Sequence, residues 1–183
     1  MGATPEQLLE QTLVIRSQLG DEIAFSDLLK LNGPRLLRFT ERMMSSCPDQ
    51  IADVMQDTWI AIYRSLPKLS DVSKFRSWAF RIARDRIYRE YRRLKVEMQP
   101  LDEVDVAELP SKSERIAPPD LSGLEHLLSS ISPEHREALV LRFQEDLTYE
   151  EIAQVTGASI GTIRSRIHYG KRALRIALEG KQL

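Results

Sequence analysis

An all-α protein of two small helical units joined by a tether is what this 183-residue sequence predicts. Three observations predict it: apolar residues recur at steps of three and four, no alternating run long enough for a strand appears, and one central stretch is dense in proline and acid. The first unit is assigned to residues 1–95, the tether to residues 96–120 and the second unit to residues 121–183.

In the first unit, Leu28, Leu31, Leu36 and Phe39 share one helical face, and Ile51, Met55, Trp59, Ile62 and Leu66 share another. Breaks are expected at Asn-Gly-Pro (32–34), at Ser-Ser-Cys-Pro-Asp (45–49) and in the turn-rich stretch 66–75. Opposite Ile51, Met55 and Ile62, the residues Asp53, Gln56 and Asp57 fall on one polar face.

The tether carries four prolines, and its seven acids against two bases give a net charge of −5. Such a segment reads as extended rather than as a packed helix. Helical spacing then returns. Ser132 suits an N-cap with Pro133 at the first helical position and the acids Glu134 and Glu137 in the first turn, and Leu139, Val140 and Phe143 line one side. About four helices are expected in this second unit.

The stretch 149–174, YEEIAQVTGASIGTIRSRIHYGKRAL, is the most informative in the chain. Thr148 with Glu151 three residues on forms a capping box for a helix that buries Ile152, Ala153 and Val155. Gly157 falls where that helix must stop and turn, a place that calls for positive φ. Ser159 can cap the next helix, with Ile160, Ile163 and Ile167 as its buried face. Thr162, Arg164, Ser165, Arg166, His168, Tyr169, Lys171 and Arg172 then point wholly or partly outward. From residue 162 onward six bases stand against one acid, a net +5. A helix held by one face and presenting arginine on the other fits the major groove, so residues 148–168 read as a DNA-binding helix-turn-helix. The competing readings are a solvated basic face in an ordinary bundle, a repressor or activator that binds duplex DNA alone, and a helical adaptor whose arginines serve acidic proteins.

A second cationic cluster lies between residues 59 and 95, where eleven bases oppose three acids for a net +8. Phe75, Trp78, Phe80, Tyr88 and Tyr91 interleave with it, as in proteins that track a single strand with cations and stack its bases on rings, although most of these aromatics equally suit a core.

The whole chain has a formal net charge of −1, which conceals these opposing blocks. Cys47 is the only cysteine and there are three histidines, His126, His135 and His168, so neither a disulfide nor a metal site is expected. No phosphate-binding glycine loop or nucleophile constellation points to catalysis, so the chain reads as a non-enzyme without cofactors. Glu6 and Glu10 interrupt what a secretory leader would need, no apolar stretch reaches the roughly 18 residues of a membrane span, and a cytoplasmic location is expected.

Taken in order, PRLLRFTERMM, DVMQDTWIAIYRSLPKL, FRSWAFRIARDRIYREYRR and the run from Ser132 through Leu174 closely resemble the extracytoplasmic-function group of the bacterial sigma-70 family, over residues 24–178. The resemblance implies two helical domains on a flexible linker and a transcription initiation factor that brings core RNA polymerase to promoters. It assigns Asp53, Gln56 and Asp57 to polymerase binding. For the −10 element it implies Lys74, Arg76, Trp78, Arg81, Arg84, Asp85, Tyr88, Arg89 and Arg92, with the 68–74 loop bordering a pocket for a flipped base. For the −35 element it implies the outward set from Thr162 to Arg172 named above. An anti-sigma factor is implied as a further partner, with no insertion of the chain itself into a membrane. Asp85 stands where the family commonly has Asn, and an acid there repels phosphate or alters base choice.

Overall fold

The structure is a computed structural model that describes residues 4–97, 127–128 and 130–179. The expected tether, apart from its first two residues, and the start of the second unit up to residue 126 lie outside the described residues. Within them the chain is all-helical, as the periodicity predicts. The helices are α1 (Pro5–Gln18), α2 (Glu22–Met43), α3 (Ile51–Ser65), α4 (Phe75–Glu97), α5 (Pro133–Phe143), α6 (Tyr149–Thr156) and α7 (Ile160–Glu179). Short 3-10 turns at Pro48–Gln50, Leu66–Lys68 and Val72–Lys74 fill two of the expected breaks.

The third expected break is absent, because α2 runs straight through Asn-Gly-Pro with Pro34 inside it. Leu28, Leu36, Phe39 and Met43 are buried on both sides of the proline at helical spacing, and their burial holds the helix together across it. Pro34 lies on the exposed side, and the Asn32 side-chain amide donates to the Leu28 carbonyl at 3.3 Å.

Helices α1 to α4 surround a core that includes Leu13, Val14, Leu28, Phe39, Ile62, Phe75, Phe80 and Ile87. The buried hydroxyls of Thr40 and Thr58 each donate to the carbonyl four residues back, at 2.8 and 2.7 Å, so neither is left unpaired. Most of the interleaved aromatics are core: Phe75 and Phe80 are fully enclosed, and the Phe39 and Phe80 rings meet edge to face at 5.3 Å.

In the second unit the local grammar is as the sequence predicts. Thr148 accepts from the Glu151 backbone N–H at 3.2 Å while the Glu151 carboxylate accepts from the Thr148 N–H at 2.8 Å. Gly157 closes α6 at φ +72°, and Ser159 Oγ accepts from the Thr162 N–H at 3.1 Å. Two core expectations fail. Ile160 is exposed and Ile163, Ile167 and Gly170 form the buried edge of α7 instead. Phe143 is exposed too, under the Lys171 ammonium at 5.5 Å, because α5 is not amphipathic: six consecutive residues from Arg136 to Leu141 are buried. A helix enclosed on nearly every side lies between the first unit and α7, and Gly170 lets α7 approach it. A methyl group added at Gly170 would stand 3.0 Å from a Leu139 methyl carbon.

Glycine replacements separate these roles. Gly157→Ala forces a side chain into the left-handed region and is expected to lower stability by about 1–2 kcal/mol. Gly170→Ala overpacks the α5–α7 contact at about 1–3 kcal/mol. Gly161→Ala, with only Ser159 Oγ at 3.8 Å, is neutral or stabilising. Urea denaturation of the three variants checks the order.

Candidate nucleic-acid interface

Three helical faces collect the residues singled out in the sequence. On α3, Val54, Thr58 and Ile62 turn inward, which leaves Asp53, Gln56 and Asp57 exposed together on the opposite side. The same stripe continues to Ile60 and Tyr63, which are 40% and 56% exposed. Sequence reasoning overlooked these two, although their spacing from Gln56 was the available signal. The face is therefore acidic with an apolar end.

On α4, Ala79, Phe80, Ala83 and Ile87 anchor the helix, and Arg81, Asp85, Arg89 and Arg92 follow one another along the exposed side at steps of three and four. Lys74 is exposed just before the helix begins. Arg76, Trp78, Arg84 and Tyr88 are only partly accessible. Trp78 packs on Phe75 at 5.9 Å between ring centroids. The Tyr88 ring lies under the Arg84 guanidinium at 4.4 Å, and burial pushes its hydroxyl upward from the ordinary phenol range. The Tyr91 hydroxyl donates to the Met43 carbonyl. The loop before α4 is fixed from α1: the Gln18 side-chain amide donates to the carbonyls of Leu66 and Leu69 at 2.9 and 2.7 Å, and Asp71 accepts from Ser73 N–H at 3.0 Å.

On α7, Thr162, Arg164, Ser165, His168, Tyr169, Lys171 and Arg172 are exposed. Arg166 is the exception. It is half-buried, and its charge acts on Glu137 of α5 and Tyr88 of α4.

The seam between the two units brings together groups far apart along the chain, with no periodicity or motif to pair them. Arg84 Nε donates to Glu137 Oε1 at 2.8 Å, and the glutamate has no solvent exposure. Glu137 is thus not a solvated first-turn acid. Arg136, also buried, donates from Nε to the Leu128 carbonyl at 2.8 Å and from Nη1 to the Arg42 carbonyl at 3.4 Å, near the carboxyl end of α2. Glu145, 2% exposed in the α5–α6 turn, feels the charges of Arg38, Arg35 and Arg76. A groove of about 640 Å³ runs along the seam between Arg81, Arg84 and Asp85 of α4 and Gln154, Gly157 and Ile160 at the helix-turn-helix.

Among the described residues no group of His, Cys, Asp and Glu could hold a metal ion, and no helix is long and apolar enough to cross a membrane.

Sigma-70 region 2 matches residues 28–96, and Sigma-70 region 4 matches residues 127–175. The chain is 30% identical over 182 residues to the ECF RNA polymerase sigma-E factors of Salmonella typhimurium and of Escherichia coli, covering 92% of this chain and 94% of each relative. It is 32% identical over 164 residues to the ECF RNA polymerase sigma factor SigE of Mycolicibacterium smegmatis, covering 85% of this chain and 63% of that protein. Among solved structures, the sigma factor RpoE of Bartonella quintana, in complex with the anti-sigma factor NepR, aligns with TM-score 0.70 and 28% identity over 85% of this chain and 96% of that one. CnrH, in complex with the cytosolic domain of CnrY, shares the fold at TM-score 0.69 and 22% identity over 94% of this chain and 98% of that one. The chain belongs to the extracytoplasmic-function group of the sigma-70 family. It is a sigma factor for transcription initiation, not an enzyme, and its two sigma regions define core RNA polymerase and promoter DNA as its partners.

The buried carboxyls set a pH dependence. Burial raises Glu10 against the opposing pull of Arg76, Asn32 and Arg35, and raises Glu137 against Arg84 and Arg166; it also raises Glu145 against Arg38, Arg35 and Arg76. A raised acid keeps its proton in the folded chain where the unfolded chain has lost it. Its contribution is complete below the ordinary carboxyl value and fades as pH climbs through the raised one. Asp21, Asp71 and Glu90 are held low by hydrogen bonds from Ala24 N–H, Ser73 and Arg93, and their contributions fade in the opposite direction, as pH falls. Stability carried by the three glutamates is therefore expected to decline as pH rises above the ordinary carboxyl range, and Glu137→Gln should flatten that slope in urea midpoints measured across a pH series.

Proposed function

We propose that residues 1–95 hold core polymerase and the −10 strand, that residues 121–183 read the −35 element, and that residues 96–120 tether the two. The observation that carries this reading is the placement of the charge. Exposed Arg81, Arg89 and Arg92 form one stripe on α4, and exposed Arg164, Lys171 and Arg172 form a second on α7, each backed by a helix face sealed in the core.

On this reading Asp53, Gln56 and Asp57 contact polymerase, and Ile60 and Tyr63 add the apolar ground that a protein interface requires and a DNA interface does not. Lys74, Arg76, Arg81, Arg84, Arg89 and Arg92 follow the strand backbone, with Trp78 and Tyr88 beside it and Asp85 setting base choice. Thr162, Arg164, Ser165, Arg166, His168, Tyr169, Lys171 and Arg172 meet the major groove, where arginine pairs with guanine and the other cations face phosphate. The 68–74 loop borders the flipped base. The chain works in the cytoplasm, and an anti-sigma factor restrains it; support for that partner comes from the Bartonella quintana sigma factor, whose structure contains one.

Run-off transcription with purified core polymerase on a genomic promoter library tests the assignment, and transcripts sharing a two-element motif are expected. Two substitutions sharpen it. Changing Asp53, Gln56 and Asp57 together to Ala is expected to abolish polymerase pull-down while leaving circular dichroism unchanged. Arg164→Ala is expected to cost about 1–3 kcal/mol on a cognate promoter if it reads a base, and an equal loss on random duplex would make it a phosphate contact.

A further inference from the structure

The stretch 66–74 has few anchors of its own: Leu66 is buried and Leu69 and Val72 are half-buried against the core, while Pro67, Lys68, Ser70 and the residues around Ser73 face solvent. Asp71 closes only its far turn, accepting from the N–H and the hydroxyl of Ser73 at 3.0 and 2.6 Å. The near turn is fastened from outside. One Gln18 side-chain nitrogen donates to the Leu66 carbonyl at 2.9 Å and to the Leu69 carbonyl at 2.7 Å, across 48 and 51 residues of sequence. Facing two carbonyls, only the amino end of the amide fits, and both its hydrogens are spent. Gln18 is itself held in place. It is the last residue of α1, whose Leu13 and Val14 are buried, and the turn after it is pinned by the Arg16 guanidinium on Asp21 at 2.6 Å. Helix α1 touches both the 66–68 and the 72–74 turns, although it lies outside the stretches 28–96 and 127–175 that match the two sigma regions. Water would satisfy carbonyls on a surface loop without fixing them; one side chain bridging both restricts the loop to a single shape, at the cost of its own rotamer freedom.

We infer that Gln18 is a positioning residue for −10 readout: by latching the 66–69 turn it holds the wall of the pocket that receives an extruded base, which makes α1 part of the promoter-reading apparatus. The inference rests on the proposed reading of the 68–74 loop as the border of a flipped base. Extruding a base from the stack is unfavourable, and a pocket offsets that fully only when its wall is already in place as the base arrives. A wall free to move loses part of the gain to its own ordering. The backbone contacts proposed for α4 do not pass through the loop, so loosening it removes the contribution of the base and leaves that of the strand.

The test uses holoenzyme reconstituted from the full chain and core polymerase, with a fork-junction template carrying a promoter recovered by run-off transcription. A fluorescent base analogue that brightens on unstacking, or an abasic site, replaces each −10 position in turn. With the wild-type chain one position is expected to brighten, and its abasic form to bind at least about tenfold more weakly than the intact template. Gln18→Met keeps the length of the side chain and loses both donors. Gln18→Glu keeps the length and sets a carboxylate against the two carbonyls, and it stands in should the first variant fail to fold. Either is expected to shrink the abasic penalty at that position to less than about threefold, with affinity for the abasic template within about twofold of wild type. Variants that keep the full penalty, or that lose affinity equally for intact and abasic templates, would overturn the latch while the flipped-base reading stands. A wild-type holoenzyme in which no position brightens or shows a penalty would overturn that reading, and the latch with it.

Discussion

A carboxylate without solvent exposure must find a cation or give up its charge, and Glu137 finds Arg84 on the other unit. Removing each ion from water costs several kcal/mol, which a 2.8 Å contact and neighbouring hydrogen bonds offset only in a well-formed seam. That ion pair ties α5 to α4, while the body of α5 packs on α2 and α7, and α6 lies along α4. Arg136 supports it from the next position, tying residues Leu128 and Ile131 to the end of α2, where the helix dipole favours a cation. With its polar groups committed on one side and Leu139 under Gly170 on the other, α5 becomes the central helix of the second unit. The groove along α4 and the set of α7 are consequences of where α5 lies.

How much of this was legible in the sequence depends on the range of the interaction. Features closed within a few residues were legible: the Thr148–Glu151 box, the positive φ of Gly157 and the Ser132 and Ser159 caps all appear as the residue types require. So were the exposed faces of α3 and α7, since one-sided burial leaves a periodic trace. What failed involved a partner distant along the chain. Proline 34 reads as a break because propensity weighs locally, whereas α2 is held by buried side chains on both sides of it. Phe143 and Glu137 were misplaced for one reason. A helix enclosed on two sides has no single apolar stripe, so its periodicity reports neither face correctly. Ile60 and Tyr63 were legible by spacing and were passed over because the acids beside them drew the reading.

The near-neutral total charge has a physical sense once the faces are separated. Polymerase and DNA make opposite demands, and on the proposed assignment the chain meets them on different helices. The α3 face pairs acids with exposed apolar atoms, a combination that repels a phosphate backbone and suits a protein groove. The α4 and α7 stripes do the reverse. Long-range steering decays within about 10 Å at ordinary salt, so segregation over separate helices lets each surface act with its own sign. A chain with the same residues scattered evenly would have the same net charge and neither surface.

Reading bases also requires a helix that does not shift. Ile163, Ile167 and Gly170 fix α7 by one edge, and the close approach at Gly170 leaves little freedom to slide or roll against Leu139 and His135. The outward side chains therefore leave from a fixed line, a condition for bidentate contacts whose tolerance is a fraction of an ångström. Arg166 is half-buried and its charge acts on Glu137, so the helix proposed to face a groove also borders the seam. Movement of the second unit away from α4 would take Arg84 from Glu137 and leave Arg166, which travels on the same unit, as a cation still acting on that carboxylate. The charge surroundings of one prospective base-reading residue are then coupled to the distance between the units, and two surfaces that look independent along the sequence become one equilibrium in the fold.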